Sequence, residues 1–350
     1  MRAASATASA VCFLLLCSAT AHARQEEQGD PRPTPVFEFH SGFWVNLHHF
    51  LYLQGRMLRA GLEGAQREPE IATRYKALAS IEGMTEEQQH AWQAAVQVYA
   101  LSWSSRDLLL ANQMVLINDR LAELEDCPDL TGRSAVECTS GIAKDLVGAL
   151  EEAAPIYRQR WWAEQDRINR AWVAAMIPQV RSMGGNVAGQ LAETYESKWR
   201  ARIHVDVVYY AGPQGAYTSL APLHLMIASS DTRNQSVGGF ETLFYEASHV
   251  IGKGVEESID RECRRLQKPI PRDLWNALLF YTTIERMGRT SASRQAGANA
   301  ASKSASFRNA NSLYVRGWGD YEPLLQRFWQ PYLDGQADMN TAVARLINAI

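Results

Sequence analysis

Residues 240–249 read Phe240-Glu-Thr-Leu-Phe-Tyr-Glu-Ala-Ser-His249, a run without helix breakers that sets Tyr245, Glu246 and His249 on nearly one helical face. Positions 245 and 249 are one turn apart, with Glu246 beside them. A helix presents two metal ligands and a general base at this spacing when the first and last positions are imidazoles. Here position 245 is a phenol, so the meaning of the helix depends on the segments around it.

Upstream the period changes from helical to alternating. Arg202-Ile-His-Val-Asp-Val-Val-Tyr-Tyr210 sets Ile203, Val205, Val207 and Tyr209 against His204, Asp206, Val208 and Tyr210, and Leu223 to Ser229 alternates in the same way. Ala211-Gly-Pro-Gln-Gly215 between them is turn chemistry. These features predict a small antiparallel β-sheet that feeds the helix through Gly238-Gly239. His204 and His224 fall in the strands, where core or solvent-face packing is favoured over the lining of a cleft.

Downstream, Gly252-Lys-Gly254 stops the helix, and a charged helix runs from Val255 to Leu266. Lys268-Pro-Ile-Pro-Arg272 breaks the chain again, and Asp273 caps an apolar helix, Leu274 to Met287, with Glu285 near its end. Thr290 to Ser306 is low in complexity and reads as a mobile loop, followed by the aromatic segment Leu313 to Tyr321 and a terminal helix from Met339.

The first half shows helical patterning and no strand signal. Phe37 to Tyr52 is dense in aromatics, with Ser41 as N-cap of a largely buried helix. His48 and His49 are adjacent, so their side chains diverge by about 100° and cannot easily share one ion; they read as hydrogen-bonded core histidines. Thr85-Glu-Glu-Gln88 is a capping box. Helices follow over Leu108 to Leu124, Gly141 to Tyr157 and from Trp161, the last kinked or ended by Pro178. Asn186 to Trp199 gives one more after the Gly184-Gly185 break. The fold class is therefore mostly α with a small antiparallel sheet: one domain over 35–350, with a helical array at 35–199.

Residues 1–23 have the form of a secretory signal, with Arg2, an apolar run from Val11 to Leu16, and Ala21-His22-Ala23 as cleavage site. Residues 24–34 form a polar tether, and a secreted or periplasmic location follows. No other stretch has the 18 or so apolar residues of a membrane span. A net charge of −3 with no basic stripe disfavours nucleic acid as a partner. Beyond the signal, Cys127 and Cys138 bracket a short polar segment that a disulfide would close in an oxidising compartment, and Cys263 reads as a structural thiol.

Sheet, then a helix with E-x-x-H, then a helix with a lone Glu is an order of parts that resembles the gluzincin branch of the zincin metallopeptidases over roughly 200–290. The chain also resembles a group of secreted bacterial proteins of unassigned activity through its opening, Phe39 to Tyr52, and its ending, Trp329 to Gly335. Members of that group carry His-Glu-Ala-Ser-His where this chain has Tyr245-Glu-Ala-Ser-His249.

The zincin resemblance implies zinc as cofactor, His249 and Glu285 as ligands, Glu246 as general base, and Tyr245 at the place of the first histidine. His48, His49 or His224 are candidates to fill that gap, and Tyr314 is a weaker candidate oxyanion donor. Two functions follow: a secreted metallopeptidase-like protein performing metal-assisted amide hydrolysis, or a non-catalytic pseudopeptidase that keeps the cleft to bind a peptide or protein ligand. A plain helical protein without metal is the third reading.

Overall fold

The computed structural model describes residues 35–62, 81–124, 130, 139–294 and 317–350; the side chains of 62 and 290–294 are outside the description. The signal and tether of 1–34, the Cys127 and Cys138 pair, Tyr314 and the part of the expected loop beyond 294 lie outside the described residues.

The chain opens with strand β1 (Val36–His40) and helix α1 (Phe43–Leu62), followed by α2 (Glu86–Val98), which continues into a π turn, and α3 (Asn112–Glu123). The capping box forms as the sequence predicts: Gln88 N–H donates to Thr85 Oγ1 and Thr85 N–H donates to Gln88 Oε1, both at 3.2 Å. Three helices then follow end to end: α4 (Lys144–Tyr157), α5 (Ala163–Gln179) and α6 (Gly185–Thr194). Neither Pro178 nor the Gly184-Gly185 pair breaks the run. π turns at Arg158–Trp162 and Val180–Gly184 join the three, a few residues after Pro155 and Pro178. A wider turn is one way a helix accommodates a ring that has no N–H to donate.

Strands β2 (Arg202–Val208), β3 (Ala216–Leu220) and β4 (Leu223–Ala228) lead into α7 (Ser236–Ser248), which carries the E-x-x-H residues. Helices α8 (Lys253–Leu266), α9 (Leu274–Arg294) and α10 (Met339–Ala349) follow. Helix α9 extends past Met287 to Arg294, so the first residues assigned to a mobile loop are helical.

The fold is mostly α with a small sheet, and the sheet is mixed rather than antiparallel. Its order is β1-β2-β4-β3, with β1 parallel to β2, β2 parallel to β4, and β3 antiparallel to β4. The hairpin before α7 is β3–β4, so the two alternating segments recognised in the sequence are parallel neighbours. Alternation identifies a strand but does not choose its partner; the short Ala216–Leu220 strand takes the hairpin position. Strand β1 is also a correction, since Phe37 and Phe39 face one side and Glu38 and His40 the other.

The two faces of the sheet cover two separate cores. Phe37, Phe39, Ile203, Val205, Leu225 and Ile227 pack with Phe240, Leu243 and Phe244 of α7. Val208, Tyr217 and Met226 pack on the other side with Trp44 and Leu47 of α1, Ile117 of α3 and Leu150 of α4. A buried polar knot holds the two layers together. Asn169 Nδ2 donates to Ser41 Oγ and Asn46 Oδ1, both at 3.0 Å, and Tyr209 N–H donates to Asn46 Oδ1 at 2.9 Å. In so dry a place these bonds fix position more than they add stability.

Candidate metal centre

Helix α7 places its predicted residues in the first core. Tyr245 is buried, with its ring 5.0 Å from that of His249, 5.3 Å from Phe280 and 6.4 Å from Trp318. Glu246 is buried and its Oε2 accepts from Thr218 Oγ1 at 2.9 Å. His249 Nδ1 faces the backbone oxygens of Tyr245 and Glu246 at 3.2 and 3.1 Å, and its Nε2 lies 3.2 Å from Asn276 Oδ1. The side chain beside the ring nitrogen is thus an amide on the first half of α9.

Glu285 stands nine residues further along α9, about 13 Å at the rise of an α-helix. Its neighbours Arg286 and Arg289 donate to Thr194, to the Leu333 carbonyl and to Asp334. Glu246, His249 and Glu285 do not form a group of converging donors among the described residues. A phenol packed in aromatics, one imidazole and an amide are a poor fit to zinc, which takes imidazole, thiolate or carboxylate.

Convergence of that kind occurs on the opposite face of the sheet. His204 and Asp206 are two apart on β2 and therefore point the same way, and His224 comes from the adjacent β4. One donor atom from each lies within 4.8 Å of the others, a set that can hold a metal ion. Both histidines turn Nε2 toward Asp206 Oδ2, His204 at 3.1 Å. Exposure is graded, from 34 % for the His204 side chain to 5 % for His224 and 2 % for Asp206, so the group opens to solvent on the His204 side.

Burial opposes charge on Asp206, but the hydrogen bonds and electrostatic pull of His204 and His224 outweigh it and hold the carboxyl well below its usual range. Asp206 remains an anion throughout the neutral range.

Further polar groups surround the three. His40, paired with Asp206 across β1 and β2, stacks on His204 at 4.2 Å with 11° between planes. His49 is wholly buried; Nδ1 lies 2.8 Å from the Val45 carbonyl and Nε2 2.8 Å from Tyr217 Oη. Asn118 Nδ2 donates to the same Tyr217 oxygen at 2.8 Å. These bonds fix the His49 proton on Nδ1, donating to Val45 O, with Nε2 accepting from the tyrosine. Burial lowers the His49 pKa to about 4 against the opposing pull of that carbonyl and of Asp206. His48 is likewise buried, 2.8 Å from Tyr99 Oη. The reading of both as hydrogen-bonded core histidines agrees with this, and His224, a candidate to complete the α7 site, belongs to the other face.

Sequence reasoning missed Asp206. The His204-x-Asp206 spacing was present, but it gains meaning only when β4 lies beside β2.

No protein-family model, curated protein or solved structure matches the chain.

Proposed function

We propose that this is an exported zinc-binding protein whose metal centre is His204, Asp206 and His224. The observation that carries the proposal is the convergence of two imidazoles and one ionised, buried carboxylate within 4.8 Å, on adjacent strands whose register fixes their spacing. Two nitrogens and one oxygen suit zinc among the divalent ions. Strands give such a site precision, because ordering the donors costs little once the sheet has formed. His40 stacked on His204 supports the outer ligand in its orientation. Three protein ligands are the number used by zinc sites that hold a water or substrate in the remaining position, and metal-assisted hydrolysis is the reaction class such a site serves.

Metal analysis of the purified protein tests this directly. One equivalent of zinc is expected in the wild type and none in His224→Ala; a wild type that neither retains nor takes up a divalent metal would rule the site out.

A second reading concerns α7. A cleft of about 390 Å³ is lined by Glu256, Asp260, Ile270, Trp275 and Asn276, and the last two touch His249. This juxtaposition favours the pseudopeptidase reading, a zincin-like helix without its own metal beside a groove for a peptide. Under it, Glu246 holds Thr218 and does not polarise water. Binding of basic peptides that Trp275→Ala abolishes is its test, and peptide hydrolysis lost on Glu246→Gln would contradict it.

A further inference from the structure

The cleft beside α7 has two unlike walls. On one, Glu256, Ile259 and Asp260 of α8 stand at i, i+3 and i+4, the spacing that sets side chains on one helical face. On the other, Ile270 and Pro271 of the segment before α9 and Trp275 of its first turn supply apolar surface. Pro269 and Pro271 bracket Ile270, and their rings fix the backbone φ on either side of it, so this wall is set before any ligand arrives. Ile270 is nonetheless 61 % exposed, an uncovered apolar side chain at a charged cleft.

The charge is one-sided. Four carboxylates line the cleft, Glu256, Glu257, Asp260 and Asp273, against the single guanidinium of Arg272. Three of the four have a cation at hand: Lys253 lies 3.4 Å from Glu257, Arg264 2.6 Å from Asp260 and Arg272 3.4 Å from Asp273. Glu256 has no hydrogen bond or ion pair among the described residues.

We infer that the cleft is a specificity pocket for one lysine or arginine side chain of a bound peptide, and that Glu256 is the residue that selects its charge. This inference rests on the reading of α7 and its cleft as a peptide groove. A basic side chain is itself in two parts, an aliphatic stem ending in a cation. The stem covers Ile270 and lies against Trp275, whose indole face also attracts the cation, and the cation pairs with Glu256, the one lining carboxylate that lacks a partner. An aliphatic side chain leaves that carboxylate unpaired, and an acidic one meets like charge. A volume of about 390 Å³ is at the small end of ligand sites, room for one long side chain and the backbone next to it.

The test uses the full mature chain and acetylated, amidated heptapeptides of alanine and glycine with lysine, arginine or norleucine at the centre, so that terminal charges play no part. Calorimetry on the wild type is expected to show the lysine and arginine peptides binding about fivefold more tightly than the norleucine peptide, the worth of one exposed ion pair. Glu256→Gln, at an exposed position, is expected to fold normally and to bind lysine and norleucine peptides equally. Salt at about 0.5 M should narrow the difference in the wild type in the same way. If the peptides bind but the wild type shows no preference for the basic ones, or Glu256→Gln keeps it, the charge-selecting role is overturned and the groove reading stands. Butylammonium binding as tightly as the lysine peptide would make the ligand a free organic cation and overturn the peptide assignment. A wild type that binds none of the peptides overturns both the pocket and the groove.

Discussion

The carboxylates of Asp206 and Glu246 lie on opposite faces of one sheet. Asp206 shares its face with Met226 and Tyr217, its cross-strand neighbours, whereas Glu246 reaches Thr218, whose row runs through Leu225 and Val205. The residues a zincin resemblance singles out and the His204, Asp206 and His224 cluster proposed to hold a metal are therefore separated by a layer of backbone. Mutations on one side are expected to leave the other side's ligand set intact.

Metal should stabilise the fold. Zinc in 100-fold excess over its dissociation constant is expected to add about 2.7 kcal/mol to unfolding, seen as a higher thermal midpoint that a chelator reverses. His204→Ala should fold and lose this response. An equal shift in that variant would place the metal elsewhere.

Acid should destabilise the protein well above the pH at which Asp206 titrates. The unfolded chain protonates His49 near pH 6.5, the folded one only at about 4, so between those values the unfolded state holds the extra proton. Stability then declines as pH falls, at about 1.4 kcal/mol per unit for this one fully buried group, some 3 kcal/mol in all. Asp206 acts in a different window: its folded pKa is depressed, so its contribution is complete above about pH 4 and lost only below. Urea midpoints at pH 7 and pH 5 should differ in the wild type and differ less in His49→Gln.

Tyr245→His alone should not create a second zinc site of useful affinity. It supplies an imidazole one turn from His249, but the side chain at the His249 ring nitrogen remains the Asn276 amide. Tyr245→His combined with Asn276→His supplies three imidazoles and is expected to bind one zinc beyond that of the strand site. Full occupancy in the single variant would show that Glu285 or another donor does reach His249.

Gly239 carries the packing of α7 against the turn before it. A β-carbon there would collide with the Asn234 carbonyl, which is held in place by the indole N–H of Trp172 at 2.7 Å. Asn234 is further anchored through Nδ2 to the Gly215 and Ala228 carbonyls, at 2.8 and 2.9 Å. With no room to yield, Gly239→Ala is expected to cost about 1–3 kcal/mol, read as a lowered denaturant midpoint with unchanged slope.

Local signals were legible in proportion to how local their causes are. The capping box at Thr85, the helix over 240–248 and the alternation of β2 and β4 follow from neighbours a few residues apart. Pairing does not. Strand β1 meets β2 across more than 160 residues, and its five residues sit against an aromatic run that reads as helix. The donors of the proposed centre show the same divide: His204 and Asp206 share a face by spacing alone, whereas His224 joins them because β4 docks parallel to β2. Asn276 has no local signal for a related reason, since the placing of α9 against α7 follows from core packing of residues such as Phe280 rather than from any motif.

The run from Lys144 to Thr194 belongs to both sides of the molecule. Its first third places Leu146, Leu150 and Tyr157 in the core beneath α1, and its last third places Val187 and Leu191 in the core beneath α7. Because the π turns join these parts without a loop, the run works as a splint fastened at each end to a different interior. The two cores are therefore expected to melt in one transition, and a chain divided near residue 200 to lose the support that each half draws from its neighbour.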